Sequence, residues 1–240
     1  MIDGYAAAQV RAAEAPLIAA GVPLMQRAAA GLAVELRELL VKRLRDRDAA
    51  DGDSGRIVLL VGSGDNGGDA LYAGATLASG GAEVIVVRTS ARVHADALSA
   101  ALSAGARQAA GAPADPEVAL AATTGADIVV DGIIGTGTSP DPTLRGAARE
   151  IVEALLPVVQ SPHGPLVVAV DLPSGIDADE GTVPDGAVLP AEVTVTFGAV
   201  KAGLLIPPGA GFAGDVRLVD IGLGPSLADV EPLVRVAREL

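Results

Sequence analysis

The sequence predicts an α/β protein in which a doubly wound, mostly parallel sheet is covered by helices on both faces, as three α/β/α layers. Six short runs rich in Val, Ile and Leu predict buried strands, at residues 56–61, 83–87, 127–131, 166–171, 193–197 and 216–219. Alanine-rich segments with helical character separate the first four runs. Continuous apolar strands that alternate with helices are typical of parallel sheets buried on both faces.

Two further helices are predicted before the first strand, at residues 6–20 and 23–45, because their apolar residues recur with helical spacing. At the other end of the chain, glycine and proline interrupt the pattern after Leu223. We therefore expect residues 1–223 to form one domain and residues 224–240 to be a tail or a linker.

The composition narrows the classes of function. The 240 residues carry 17 basic and 30 acidic side chains, a net charge of −13, which argues against nucleic acid or an anionic membrane as a partner. Cysteine is absent, so disulfides and thiolate catalysis are excluded. The N-terminus has no signal-like apolar block, and no apolar run reaches membrane-spanning length. We therefore expect a cytoplasmic protein.

The loop after the first strand, Gly62–Asp69, reads Gly-Ser-Gly-Asp-Asn-Gly-Gly-Asp and precedes a segment with helical character. A strand, a glycine-rich turn and a helix form a Rossmann-like phosphate-binding arrangement, because backbone N–H groups and the helix N-terminus point to one place. The loop also carries Asp65, Asn66 and Asp69. A loop that only binds pyrophosphate would avoid this negative charge, so we expect the site to do more than hold phosphates.

Two more polar loops follow predicted strands. Asp131 precedes the glycine-rich segment Gly132–Gly137, and Asp171 precedes Leu172–Asp177. Because doubly wound sheets bind ligands at the carboxyl ends of their strands, we expect all three loops to share one site. Each aspartate alone could instead be a helix cap or a turn residue. Carboxylate, amide and hydroxyl oxygens in such loops suit K⁺, Mg²⁺ or Ca²⁺ rather than zinc.

Together with the segment Thr196–Leu204, the three loops resemble, in order, the motifs of the NAD(P)H-hydrate epimerase family, the YjeF N-terminal type of domain. Segments 10–14 and 21–25 are also similar to that family's N-terminal helices. The likeness therefore covers nearly the whole chain up to about Leu223. The resemblance implies an isomerase that interconverts the R and S forms of hydrated NADH and NADPH. It also implies a functional partner, an NAD(P)H-hydrate dehydratase, which uses the S form and is fused to this domain in many bacteria.

The resemblance further implies residue roles. One potassium ion per subunit would be bound by Asn66, Asp131 and Ser174, and Asp171 would contact the hydrated ring. The residues implied to bind the dinucleotide are Asp65, Asn66, Gly67, Gly68, Asp69, Gly135, Thr136, Gly137, Thr138, Ser139, Pro140, Asp141 and Asp171. Epimerisation requires loss and return of a hydroxyl, helped by the ring-nitrogen lone pair, and therefore a group that exchanges a proton. Asp171 is the candidate for this role. Lys201 is either the second polar group or a solvated surface lysine.

Three positions depart from the family pattern. Asp65 stands where Asn is usual, Ala70 stands where Gly is common, and Gly132–Ile134 replaces Ala-Leu-Phe. The extra charge of Asp65 is expected to alter the binding of the ion or of the phosphates.

The predicted N-terminal helices carry more apolar residues than one sheet can cover. These residues are Val22, Leu24, Met25, Leu32, Val34, Leu36, Leu39, Leu40 and Val41. The resemblance also implies dimers, so we expect a homodimer with these helices near the interface.

Two other functions stay open on the sequence alone. The Gly-x-Gly-x-x-Gly pattern and Arg88, at the end of the second strand, are compatible with an NADP-dependent oxidoreductase. Against this, Asp65 would repel the pyrophosphate, and no separate substrate domain is visible. The second alternative is a non-catalytic nucleotide-binding module, against which the presence of Asp171 and Lys201 argues.

Overall fold

The computed structural model describes residues 1–50, 52–137 and 141–237. Its larger sheet has seven strands: β2 (Arg56–Val61), β3 (Glu83–Arg88), β4 (Arg107–Gln108), β5 (Ile128–Gly132), β6 (Leu166–Val170), β7 (Val193–Phe197) and β9 (Asp215–Val219). They lie in the order β4-β3-β2-β5-β6-β7-β9, and every neighbouring pair is parallel. All six predicted strands are therefore confirmed.

The helices are α1 (Ala7–Ala19), α2 (Leu24–Asp46), α3 (Asp65–Ser79), α4 (Ala95–Ser103), α5 (Pro116–Thr123), α6 (Gly146–Val159) and the short α7 (Gly224–Leu227). Side chains of α2, α3 and α4 pack with Leu59 and Val61 of β2 on one face of the sheet. Side chains of α5 and α6 pack with Val58 and Leu60 on the other face. Successive residues of a strand point to opposite faces, so the buried run of β2 serves both layers. The predicted three-layer α/β/α fold is confirmed.

Most apolar residues of the N-terminal helices pack within this chain. Leu32 and Leu36 of α2 are fully buried, and Leu24, Leu39 and Leu40 are at most 9% exposed. The exceptions are Ile18 of α1 and Val34 and Val41 of α2, which are 60%, 50% and 42% exposed. Only these three side chains leave apolar surface of the N-terminal helices to a partner, and the homodimer stays a prediction.

A second, three-stranded sheet consists of β1 (Ile2–Tyr5), β8 (Val200–Lys201) and β10 (Val234–Val236), in the order β10-β1-β8. Strand β1 runs parallel to β8 and antiparallel to β10. This sheet was not predicted, because its strands have only two to four residues and carry no long apolar run. The segment after Leu223 contains α7 and β10, so it packs against the N-terminal strand. The domain boundary at Leu223 stays a prediction.

Among the described helices, none is by itself long and apolar enough to cross a bilayer. Helices α1 and α2 satisfy the length and composition criteria only when taken together, and the chain bends by 115° between them.

Candidate active site

The site lies where the strand order reverses. Strand β2 is followed along the chain by β3 on one side, whereas its other neighbour is β5, with β6 and β7 beyond it. The loops at the carboxyl ends of β2, β5, β6 and β7 therefore share one edge of the sheet. They lie at residues 62–69, 131–137, 171–177 and 197–201. This is the position at which doubly wound sheets bind their ligands.

Glycine allows two of these loops to touch. A Cβ added at Gly62 would lie 1.7 Å from the carbonyl oxygen of Ile133, and one added at Gly135 would lie 2.1 Å from Asn66 Oδ1. No side chain fits at such distances, so the loops after β2 and β5 are held in backbone contact. The prediction that they share one site is in agreement with this packing.

Asp171 is held in an uncommon backbone conformation. Its φ of 68° lies in the left-handed region, which costs a residue other than glycine about 1 kcal/mol, although aspartate and asparagine tolerate it best. Its Oδ1 accepts hydrogen bonds from Thr196 Oγ1 at 3.0 Å, from the Phe197 N–H at 3.3 Å, and from Lys201 Nζ. The side chain is therefore fixed through one oxygen.

The second carboxylate oxygen of Asp171 has no such partner. Within the described ranges no donor reaches Oδ2, and this oxygen is not among the buried polar atoms sealed from solvent without a partner. A carboxylate fixed by one oxygen and open at the other is suited to contact a bound substrate.

Lys201 is buried rather than solvated, with 2% of its surface exposed. Besides its ion pair with Asp171, Nζ donates to the Phe197 carbonyl at 3.0 Å and lies 3.3 Å from Thr196 Oγ1. The ammonium group is thus directed to Asp171 itself and to Thr196 and Phe197, which also donate to Asp171. Thr196 begins the motif at residues 196–204, but the sequence indicates no role for it, since its bridging position depends on the fold.

The glycine-rich loop after β2 forms the first turn of α3. Asp65 is exposed at the helix start, whereas Asn66, Gly67, Gly68 and Asp69 are buried. Asp69 is 6% exposed and its Oδ1 has no hydrogen-bond partner. Burial, reinforced by the charges of Asp171 and Asp65 and opposed by Lys201, raises the pKa of Asp69 to about 8. Asp69 is therefore mostly neutral at pH 7, and the site carries less negative charge than its residues suggest.

The three residues implied to bind potassium lie on adjacent strand ends. Asp131 is fully buried, and its carboxylate accepts from Ser174 Oγ at 2.6 Å and from the Ser174 N–H at 2.8 Å. Burial raises the pKa of Asp131, and the hydrogen bonds from Ser174 oppose this. The Asn66 amide donates to the Val170 carbonyl. Carboxylate, amide and hydroxyl oxygens are hard ligands of the kind that K⁺, Mg²⁺ or Ca²⁺ takes, and among the described residues no lysine or arginine is paired with Asp131.

The loop after β5 is described as far as Gly137. Gly135 and Thr136 are half-buried, and the Thr136 carbonyl accepts a hydrogen bond of 2.8 Å from Arg11 Nη1 of α1. Asp141 accepts from the Thr143 N–H and pairs with Arg145, and the Thr143 hydrogen bonds lower its pKa. The predicted contacts of Thr138, Ser139 and Pro140 lie outside the described residues.

The sequence did not point to any role for helix α1 in the site. Arg11 and Glu14 lie in segment 10–14, for which the sequence shows only a family likeness. Glu14 is half-buried, and the charges of Lys201 and Asp171 act on its carboxyl group. A basic and an acidic residue three positions apart was the only signal in the sequence, and this spacing is common on any helix surface.

Comparisons with known proteins identify the family of this chain. The family model described as the YjeF-related protein N-terminus matches residues 21–203. The chain is 53% identical to the NAD(P)H-hydrate epimerase of Clavibacter michiganensis subsp. michiganensis, over 98% of this chain and 96% of that protein. It is 42% identical to the bifunctional NAD(P)H-hydrate repair enzyme Nnr of Mycobacterium leprae, over 94% of this chain and 43% of that protein.

A solved structure supports the fold. The crystal structure of the yeast protein ynu0 matches with a TM-score of 0.64 at 19% identity, covering 84% of this chain and 83% of that one. The sequence matches and the structural match each span most of the chain, and the sequence matches include the three polar loops. The chain therefore belongs to the NAD(P)H-hydrate epimerase family, as a YjeF-related N-terminal domain.

Proposed function

We propose that this chain is an NAD(P)H-hydrate epimerase, an isomerase that interconverts the R and S forms of hydrated NADH and NADPH, with Asp171 exchanging the proton. The observation that carries the role of Asp171 is its asymmetry: Oδ1 accepts from three donors, whereas Oδ2 accepts from none among the described residues. The 53% identity to a protein named for this activity, over nearly the full length of both chains, supports the reaction.

The chemistry requires one proton donor and one proton acceptor. The hydroxyl leaves the ring carbon as water after gaining a proton, while the ring-nitrogen lone pair forms a C=N bond. Water then adds to the other face of that carbon and gives up a proton, and the electron pair returns to nitrogen. Asp171 is placed to take or give one of these protons through Oδ2, and Lys201 balances its charge in the buried site.

The dinucleotide would lie along the two glycine-rich loops. We place residues 65–69 and 135–141 against it, because the N-terminus of the 15-residue helix α3 offers free N–H groups to phosphate at the strand-end edge. The neutral form of Asp69 at pH 7 lowers the repulsion that its charge would exert on an anionic substrate. Asp65 remains exposed beside this position.

A potassium ion is part of the proposal. Asn66, Asp131 and Ser174 would hold it, and the buried Asp131 carboxylate would gain a positive charge beside it. When bound, the ion would supply a fixed positive charge near the substrate phosphates. Its presence would also hold the loops after β2 and β5 together.

Partners and location follow the family proposal. The product is expected to be used by an NAD(P)H-hydrate dehydratase, and the bifunctional Mycobacterium leprae relative, of which this chain covers 43%, supports a close link between two repair activities.

For the homodimer, Val34 and Val41 offer exposed apolar side chains seven positions apart on one face of α2. Light scattering at micromolar concentration would test it, and a monomer mass would contradict it. The cytoplasmic location stays a prediction.

The test of the function starts from a single epimer of hydrated NADPH. We expect the purified chain to bring the R and S forms to equilibrium much faster than they interconvert without protein, as followed by chromatography. A binding module would leave the rate at its uncatalysed value. An NADP-dependent oxidoreductase would instead oxidise intact NADPH with a carbonyl substrate. Either result without epimerisation would contradict the proposal.

A further inference from the structure

Helix α1 is tied to the catalytic edge of the sheet at its start. Strand β1 runs parallel to β8, with Tyr5 opposite Lys201, and α1 begins two residues later. The N–H of Ala7 donates to Asp179 Oδ1 at 2.6 Å, in the loop that follows Asp171. The start of α1 is thus fixed both to the strand that carries Lys201 and to the loop that carries Asp171.

One face of α1 also reaches the loop after β5. Arg11 Nη1 donates to the carbonyl oxygen of Thr136 at 2.8 Å. Residues three apart on a helix lie on the same face, so Glu14 shares the face of Arg11. Helix α1 therefore lies along the edge of the site, between the Asp171–Lys201 pair and the proposed dinucleotide loop. Neither residue lies within the 21–203 segment that the family model matches.

Glu14 is a carboxyl group without a partner at this position. It is half-buried, and no hydrogen bond or ion pair reaches it from the described residues. Burial raises the pKa of Glu14, and the negative charges of Asp171 and Asp65 add to this rise. The positive charges of Lys201 and Arg11 oppose it. Glu14 in turn acts on Asp69 of α3. A half-buried, unpaired acid within electrostatic reach of a fixed carboxylate is an arrangement in which two carboxyl groups can divide acid and base roles.

We infer that Glu14 is the second proton-transfer residue of the site, serving the face of the hydrated ring opposite to the face that Asp171 serves. This inference rests on the proposed function, because it assigns the second proton that epimerisation moves. In one direction, Glu14 gives its proton to the ring hydroxyl, the C–O bond breaks and water leaves. The Asp171 carboxylate then takes a proton from the water that adds to the other face. One water leaves and one enters. Glu14 then regains a proton from solvent and Asp171 releases one to solvent, which restores both carboxyl groups for the next turnover.

Asp69 is a weaker candidate for this second role. Asp69 is a second acid, and its pKa is raised to about 8, but its Oδ1 is sealed from solvent and the residue is only 6% exposed. Glu14 is more accessible, so its carboxyl group can reach a substrate that enters from solvent. The two assignments are separated by comparing their amide variants.

The experiment measures kcat and KM for epimerisation across pH in Glu14→Gln, with Glu150→Gln, at an exposed position of α6, as the matched control. We expect kcat of Glu14→Gln to fall by about 10²–10⁴-fold, with KM changed only a few-fold and one limb of the pH profile lost. Glu150→Gln should behave as wild type. Added formate should restore part of the activity of Glu14→Ala, because it supplies a carboxyl group in the vacated space.

Several outcomes would overturn the assignment. Wild-type kcat in Glu14→Gln would do so, as would a fall in kcat with an unchanged pH profile and no rescue by formate, which would indicate a purely structural role. A larger loss of kcat in Asp69→Asn than in Glu14→Gln would favour Asp69. Failure of the proposed function itself is recognised separately, because wild-type protein would then show no epimerisation.

Discussion

Lys201 and Asp171 form an ion pair that is almost entirely removed from water, with side chains 3% and 8% exposed. They are thirty positions apart and come from different strands of different sheets, since Asp171 follows β6 and Lys201 ends β8. Two charges are buried together only when each satisfies the other and further hydrogen bonds complete the set, as Thr196 and Phe197 do here. The ion pair therefore connects the two sheets at the residue that we propose exchanges the proton.

The first prediction concerns this pair and stability. Replacing Lys201 by Met keeps most of the side-chain volume but leaves the Asp171 carboxylate buried without its counter-charge. We expect the free energy of unfolding to fall by about 3–5 kcal/mol, measured by urea denaturation. Lys42→Met, at an exposed position of α2, is the control and should change little.

A double variant sharpens this test. Adding Asp171→Asn to Lys201→Met removes the uncompensated charge, so part of the lost stability should return. If the two single losses simply add in the double variant, the energetic coupling between Lys201 and Asp171 is absent and the interpretation of the pair is wrong.

The second prediction concerns pH and Asp69. Its pKa is about 8 in the folded protein and about 4 in an unfolded chain, so between these values the folded state binds one more proton. The contribution of Asp69 to stability is therefore lost as pH rises through this window, by at most about 1.4 kcal/mol per pH unit. Asp69→Asn should remove the loss.

The measurement is the free energy of unfolding at several values between pH 5 and pH 8. The advantage of Asp69→Asn over wild type should grow steadily with pH. Asp229→Asn, at an exposed position, should follow the wild-type curve. Parallel curves for wild type and Asp69→Asn would show that Asp69 is ionised in the folded protein at neutral pH.

The third prediction concerns the loop contact at Gly135. A Cβ at this position would meet Asn66 Oδ1 at 2.1 Å, whereas one at Gly137 would meet nothing within 4 Å. Gly135→Ala should therefore displace the Asn66 amide and weaken potassium binding, and Gly137→Ala should not. In thermal unfolding, K⁺ at about 100 times its Kd should stabilise wild type by about 2.7 kcal/mol.

Lithium or choline chloride at equal ionic strength serves as the salt control for this experiment. An equal response to K⁺ in both alanine variants would show that Asn66 is not a ligand. No specific response to K⁺ in wild type would rule out the potassium site itself.

Six of the seven strands of the large sheet could be predicted from the sequence because each contains a run rich in Val, Ile and Leu, a pattern that depends on burial. The edge strand β4 could not be predicted, since it consists of two exposed polar residues, Arg107 and Gln108. The polar loops could be placed together because the strand order of such sheets brings their ends to one edge. The small sheet could not be predicted, since β8 has two residues and its pairing with β1 is a contact across most of the chain. For the same reason Glu14 was missed: it comes near Lys201 only because β1 pairs with β8.

The charge environment of the carboxylates in the site could not be predicted from the sequence either. Asp69 and Asp171 both belong to glycine-rich segments that follow strands, and the sequence does not show which groups surround either carboxylate. In the fold, Asp171 receives an ammonium group and two further donors, whereas Asp69 Oδ1 receives none. Their different environments therefore arise from tertiary contacts.

The most direct test of the account is the time course of epimerisation by Asp171→Asn, started from the pure R form of hydrated NADPH. Asparagine tolerates the left-handed backbone at this position and keeps the shape of the side chain, but it cannot exchange a proton. We predict that the R and S forms equilibrate about 10²–10⁴-fold more slowly than with wild type, while dinucleotide binding is retained. Equilibration at the wild-type rate would contradict the assignment of Asp171 as the proton-transfer group.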